Sequence, residues 1–142
     1  MKCLGIEGTA HTIAASVIDD KNKILSDVRA MYTTEKTGII PKEAALFMKE
    51  KKDFIIETAL KEANVSFKEI DVIAFSQGPG LAPSLLVAFN LAKELALNHK
   101  KPLVGVNHIA AHLNTGFLFH KLKDPVYVFV SGANTQIIVL ES

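Results

Sequence analysis

Apolar and polar residues alternate along the first quarter of the chain. "KCLGIEG" (Lys2–Gly8), "HTIAASVID" (His11–Asp19) and "KILSDVRAMY" (Lys23–Tyr32) each follow a period of two, which predicts three strands with one buried face. The links "GTA" and "DDKNK" are short and polar, as in an antiparallel meander. A loop, "TTEKTGII", then leads to Pro41, a residue suited to the first position of a helix because its missing N–H is not needed there. From Pro41 to Ala63 the apolar positions Ala45, Met48, Ile55, Ala59 and Ala63 recur at helical spacing, with lysines and glutamates between them. "DVIAFSQ" (Asp71–Gln77) is a short apolar run of the kind a strand buried on both faces shows. "GPGLAP" breaks the chain. A helix from about Ser84 to His99 follows, apolar nearly all the way round at Leu85, Leu86, Phe89, Leu91 and Leu95, which predicts a sandwiched helix. "PLVGV" (Pro102–Val106) predicts another buried strand. Asn107 is placed to cap a helix running to about Phe119. Two more strands, "VYVFVS" and "TQIIVLE", flank the link "GAN". Strands alternating with helices after a three-strand meander indicate an α/β sheet with helices packed on it.

Composition narrows this picture only a little. The 142 residues are 49% hydrophobic and carry a net charge of +1, which makes no case for nucleic acid by charge alone. Lysines cluster at Lys49–Lys52 and at Lys100 and Lys101, most simply as a solvated helix face and a loop. No apolar run approaches the roughly 20 residues of a membrane span, and "MKCLGIEGTA" lacks the apolar region of a signal peptide. The single cysteine, Cys3, reads as a small core residue and suits a reducing, cytoplasmic setting.

The chemistry is concentrated in a few segments. His108 and His112 stand four residues apart, so a helix puts both imidazoles on one face, with Cβ atoms about 5–6 Å apart. Two neutral imidazoles at that spacing suit a shared divalent metal, with further ligands from elsewhere; equally, they suit a polar helix face. A helix-borne metalloprotease site would need H-E-x-x-H, but Ile109 follows the first histidine and the next acid is Asp124. The spacing survives and the general base does not. "GIEGTAH" and "SGANT" each place Gly and Thr in a tight link between strands, where backbone N–H groups and a hydroxyl can hold phosphate oxygens. Gly8 and Thr9 are the candidates in the first. "SQGPGLAPS" ends a strand and opens a helix, where ligands collect in open α/β sheets; its candidates are Ser76, Gly78 and Gly80. It lacks the lysine of a P-loop and does not match G-x-S-x-G.

Taken in order, "GIEGTA", "FSQGPGLAPSL", "GVNHIAAH" and "VSGANTQ" closely resemble the N-terminal half of the Kae-one/TsaD family of tRNA threonylcarbamoyltransferases, in its archaeal and eukaryotic branch. The resemblance covers essentially the whole chain. It implies a ribonuclease-H-like lobe of the actin, Hsp70 and sugar-kinase superfamily over residues 1–124. Residues 125–142 would then be the opening hairpin of a second lobe whose remainder is absent. It implies transfer of threonylcarbamoyl from threonylcarbamoyl-adenylate to N6 of adenosine 37 in tRNAs that read codons beginning with A. By the same resemblance His108 and His112 are metal ligands, for one iron or zinc ion. Phe129, Val130, Ser131, Gly132, Ala133 and Asn134 match the loop for substrate and adenine nucleotide (the adenylate or ATP). The expected partners are tRNA, the C-terminal half, and the subunits of a KEOPS-type complex, a small protein kinase among them, with no membrane. The resemblance marks no residue of this chain as catalytic.

Some positions depart from the family pattern. Phe129 stands where archaeal members usually carry a tyrosine whose phenol ligates the metal, with Tyr127 two residues earlier. Ala133 and Ala82 replace glycines, and Leu86 stands at a place where arginine is common. Two readings compete: the N-terminal lobe of a threonylcarbamoyltransferase, inactive without its C-terminal half, and a non-catalytic subunit of the same fold that pairs with a complete family member. A sugar or acetate kinase lobe is a poorer third, because no catalytic acid lies near the phosphate loops.

Overall fold

A computed structural model describes residues 1–35, 38–131 and 134–139, with the backbone alone for 134. Three strands open the chain, β1 (Lys2–Glu7), β2 (Thr12–Asp19) and β3 (Ile24–Met31). After them come helix α1 (Pro41–Ala63), strand β4 (Val72–Gly78), helix α2 (Ala82–His99), strand β5 (Leu103–Asn107) and helix α3 (His108–Phe119). Strands β6 (Val126–Ser131) and β7 (Asn134–Val139) end the described chain. The first five strands form one sheet in the order β3-β2-β1-β4-β5, and β6 and β7 form a separate two-stranded sheet. β1 pairs antiparallel with β2 and parallel with β4, so it is the central strand where the meander meets the parallel part. Leu4 lies opposite Val17 on one side and Ile73 on the other.

By contact the chain divides into two compact units, Met1–His108 and Ile109–Ser142. In the first, α1 packs on β2 and β3, α2 packs on β4, and the two helices pack on each other. Leu4, Ile6, Ile13, Val17 and Ile73 from the sheet meet Met48, Ile55, Ala59, Val87, Leu91 and Ala92 from the helices in one core. Pro41 occupies the first turn of α1. The helix ends at Asn64, whose left-handed backbone (φ 54°) lets the Val65 N–H reach the Leu60 carbonyl at 3.1 Å. α2 closes in the same way at Lys100 (φ 52°), with Lys101 N–H on Ala96 O at 2.9 Å.

The structure corrects four expectations about burial. Cys3 is only half-buried, on the sheet face opposite Leu4 and Ile6. α2 is not sandwiched: Leu86 is 58% exposed and Phe89 36%, because one side of the helix meets the sheet and α1 and the other faces outward. β4 is not buried on both faces either; Ile73 is its one buried residue. β5 is an edge strand with Val104 46% exposed. The common cause is that α1 and α2 share one face of the sheet, so apolar runs that suit a two-sided strand are covered in this unit from one side. α2 also begins two residues earlier than expected, with Pro83 inside its first turn.

In the second unit β6 and β7 pair antiparallel from Val126–Val139 to Ser131–Asn134. Along β6 the alternation is clean: Val126, Val128 and Val130 are exposed while Tyr127 and Phe129 are half-buried. Among the described residues no helix is long and apolar enough to cross a membrane.

Candidate functional site

The two glycine-rich links flagged in the sequence touch each other. At the end of β1 the chain turns through Gly8, Thr9 and Ala10; at the end of β4 it turns through Gly78, Pro79, Gly80 and Leu81. The Leu81 N–H donates to the Thr9 carbonyl at 2.6 Å, and the fully buried Ser84 hydroxyl donates to the Ala10 carbonyl at 2.5 Å. Gly80 makes this approach possible, since a Cβ there would sit 2.4 Å from the Thr9 carbonyl oxygen. Gly8 is required for a different reason. A Cβ on it would lie 2.6 Å from Ala88 Cβ and 2.7 Å from Met48 Cε, where the link passes over α1 and α2. Gly78 adopts φ +144°, a backbone that L side chains rarely take. Of the weaker candidates, Gly8, Thr9, Gly78 and Gly80 thus build one double loop, with packing reasons for at least two of the glycines.

Glu7, which pattern reading alone passes over, joins Ser76 to that loop. Strand alternation turns Glu7 and Ser76 to the sheet face away from Leu4, Ile6 and Ile73. Glu7 Oε1 accepts from the Thr9 N–H at 3.0 Å and from Thr9 Oγ1 at 2.5 Å. Its Oε2 accepts a short hydrogen bond from Ser76 Oγ and lies 3.4 Å from His108 Nδ1. Burial pushes the Glu7 carboxyl up, but the hydrogen bonds from Ser76 and Thr9 and the nearby His108 outweigh it, holding the group below the usual carboxylate range. One sequence signal could have found it: Glu7 is the lone acid of β1, directly ahead of a Gly-Thr link.

His108 is the first residue of α3 and His112 lies one turn further along the same helix, with Asn107 closing β5 just before them. The His112 ring meets Phe129 edge-on, centroids 5.8 Å apart at 62°. Tyr127 instead packs against Phe117, 6.5 Å away. The aromatic beside His112 is therefore the one without an oxygen. Val130 and Ser131 are exposed at the end of β6; Gly132 and Ala133 lie outside the described residues, as does the Asn134 side chain. Among the described residues no three His, Cys, Asp or Glu side chains form a complete metal shell. The donors present fit part of one: two imidazoles at helical i,i+4 spacing, one with a carboxylate on its other nitrogen, the usual setting of a metal-bound histidine.

A sequence model of the tRNA N6-adenosine threonylcarbamoyltransferase family, TsaD, matches residues 23–142. A Thermococcus sibiricus protein named tRNA N6-adenosine threonylcarbamoyltransferase is 50% identical over 141 residues, which are 99% of this chain and 43% of the relative. A Thermoplasma volcanium protein named as a probable bifunctional tRNA threonylcarbamoyladenosine biosynthesis protein is 43% identical over 97% of this chain and 26% of its own length. This chain therefore spans less than half of these curated relatives. Among solved structures, YeaZ from Pseudomonas aeruginosa superposes with a TM-score of 0.60 at 18% identity, over 82% of this chain and 50% of that one. The fold is that of the actin-like, ribonuclease-H-like α/β proteins.

Proposed function

The chain belongs to the tRNA N6-adenosine threonylcarbamoyltransferase family, and from that membership we propose that it supplies the N-terminal lobe of an enzyme making threonylcarbamoyladenosine in tRNA. The observation that carries the reading is the relative 50% identical across virtually the whole chain, every candidate site segment included. In this reading residues 1–124 are the first ribonuclease-H-like lobe and residues 125–142 open the second. His108 and His112 hold one iron or zinc ion, with remaining ligands from outside the described residues. Such an ion, when bound, supplies positive charge that orients the threonyl group and polarises the transferred carbonyl. The chain's own groups do the rest. The segment Phe129–Asn134, which matches the family's substrate loop, is assigned to the adenylate and to the oxygen that gains charge as the adenosine amine attacks. The double loop of Thr9 and Gly80 is closed by the Leu81 N–H on the Thr9 carbonyl, and Glu7 ties it to β4 through Ser76. Leaving adenylate and incoming tRNA both need groups from the part of the relatives that this chain does not span. In this reading the protein works in the cytoplasm with KEOPS-type partners, a small kinase among them; what supports a partner in general is that some relatives are named bifunctional.

The test is reconstitution. This chain, mixed with tRNA, threonylcarbamoyl-adenylate and zinc or iron(II), is expected to leave adenosine unmodified. Adding the segment of the Thermococcus sibiricus relative beyond the matched 43% is expected to restore modification, and His108→Ala is expected to abolish it. Transfer by this chain alone, at a rate that depends on His108, would overturn the two-lobe reading. The Phe129 ring against His112 favours a second reading, a non-catalytic subunit that pairs with a complete family member. Failure to reconstitute, together with tight binding to a full-length relative, would establish it.

A further inference from the structure

We draw no further inference here: the strongest candidate, the exposed aliphatic face of the β6–β7 sheet made by Val126, Val128, Val130, Ile137 and Val139, belongs to the second-lobe reading already proposed, and nothing in the structure shows what else covers it.

Discussion

A methyl group added at Gly80 would meet backbone, not a side chain that can swing aside. It would lie 2.4 Å from the Thr9 carbonyl oxygen and 3.0 Å from the Thr9 carbonyl carbon, on the same carbonyl that accepts the Leu81 N–H. Relief requires the two loops to part, which breaks that hydrogen bond and pulls Thr9 from Glu7. Gly80→Ala is therefore expected to destabilise the chain by about 1–3 kcal/mol, the usual range for overpacking. Gly38→Ala is the control, since nothing lies within 4 Å of a Cβ there, and a change within about 0.5 kcal/mol is expected. Urea midpoints of both variants check this; equal midpoints would show that the loops are not tightly apposed. The same loop shows what the sequence conceals about residues. Gly78, Gly80 and Thr9 attract notice as glycine-rich chemistry. Glu7 does not, because its importance comes from Ser76 and His108, which only the fold brings to it.

Among the elements, order and type were legible and covering was not. Period-two alternation marks β1, β2 and β3 because each has one face on the core, as at Leu4, Ile6, Ile13 and Val17. The apolar runs of β4, β5 and α2 state only that much surface is greasy; which neighbour covers it depends on sheet order. The connection from α1 to β4 carries a device that composition hides. Ser66–Glu69 forms a capping box around the single 3-10 turn at Phe67–Glu69. The Ser66 N–H donates to Glu69 at 2.9 Å, and Lys2 Nζ donates to its other oxygen at 3.0 Å, tying the turn to β1. These hydrogen bonds, Ser66 N–H foremost and then Lys2, hold the exposed Glu69 carboxyl down at about 2 against an ordinary 4.5. The sign follows: the folded value is depressed, so the stabilisation is fully present above pH about 4.5 and is lost as pH falls towards 2. Carbon-detected titration of Glu69 is expected to find its midpoint well below the ordinary glutamate value of 4.5, with Lys2→Ala raising it. A midpoint near 4.5 would mean that the box does not form in solution.

At the scale of the molecule, burial is unevenly shared. Every buried apolar residue among the described ones lies within Met1–His108, from Leu4 to Ala96, and none lies beyond it. The β6–β7 sheet has two strands, and a two-stranded hairpin is marginal in water on its own. Its valines 126, 128 and 130 and the facing Ile137 and Val139 are all more than 60% exposed. Backbone amides open with a free energy set by the apolar contacts that opening must break, so protection should follow this division. Hydrogen exchange on the chain is expected to be slowest in β1, β2 and β4 and faster by orders of magnitude in β6 and β7. If residues 125–142 open a second lobe, adding the complementary segment of a longer relative should slow exchange in β6 and β7 and leave β1 unchanged. Protection in β6 and β7 equal to that of β1, in a sample shown by sizing to be monomeric, would mean that this hairpin is stable without further strands, and the two-lobe reading would lose its structural basis.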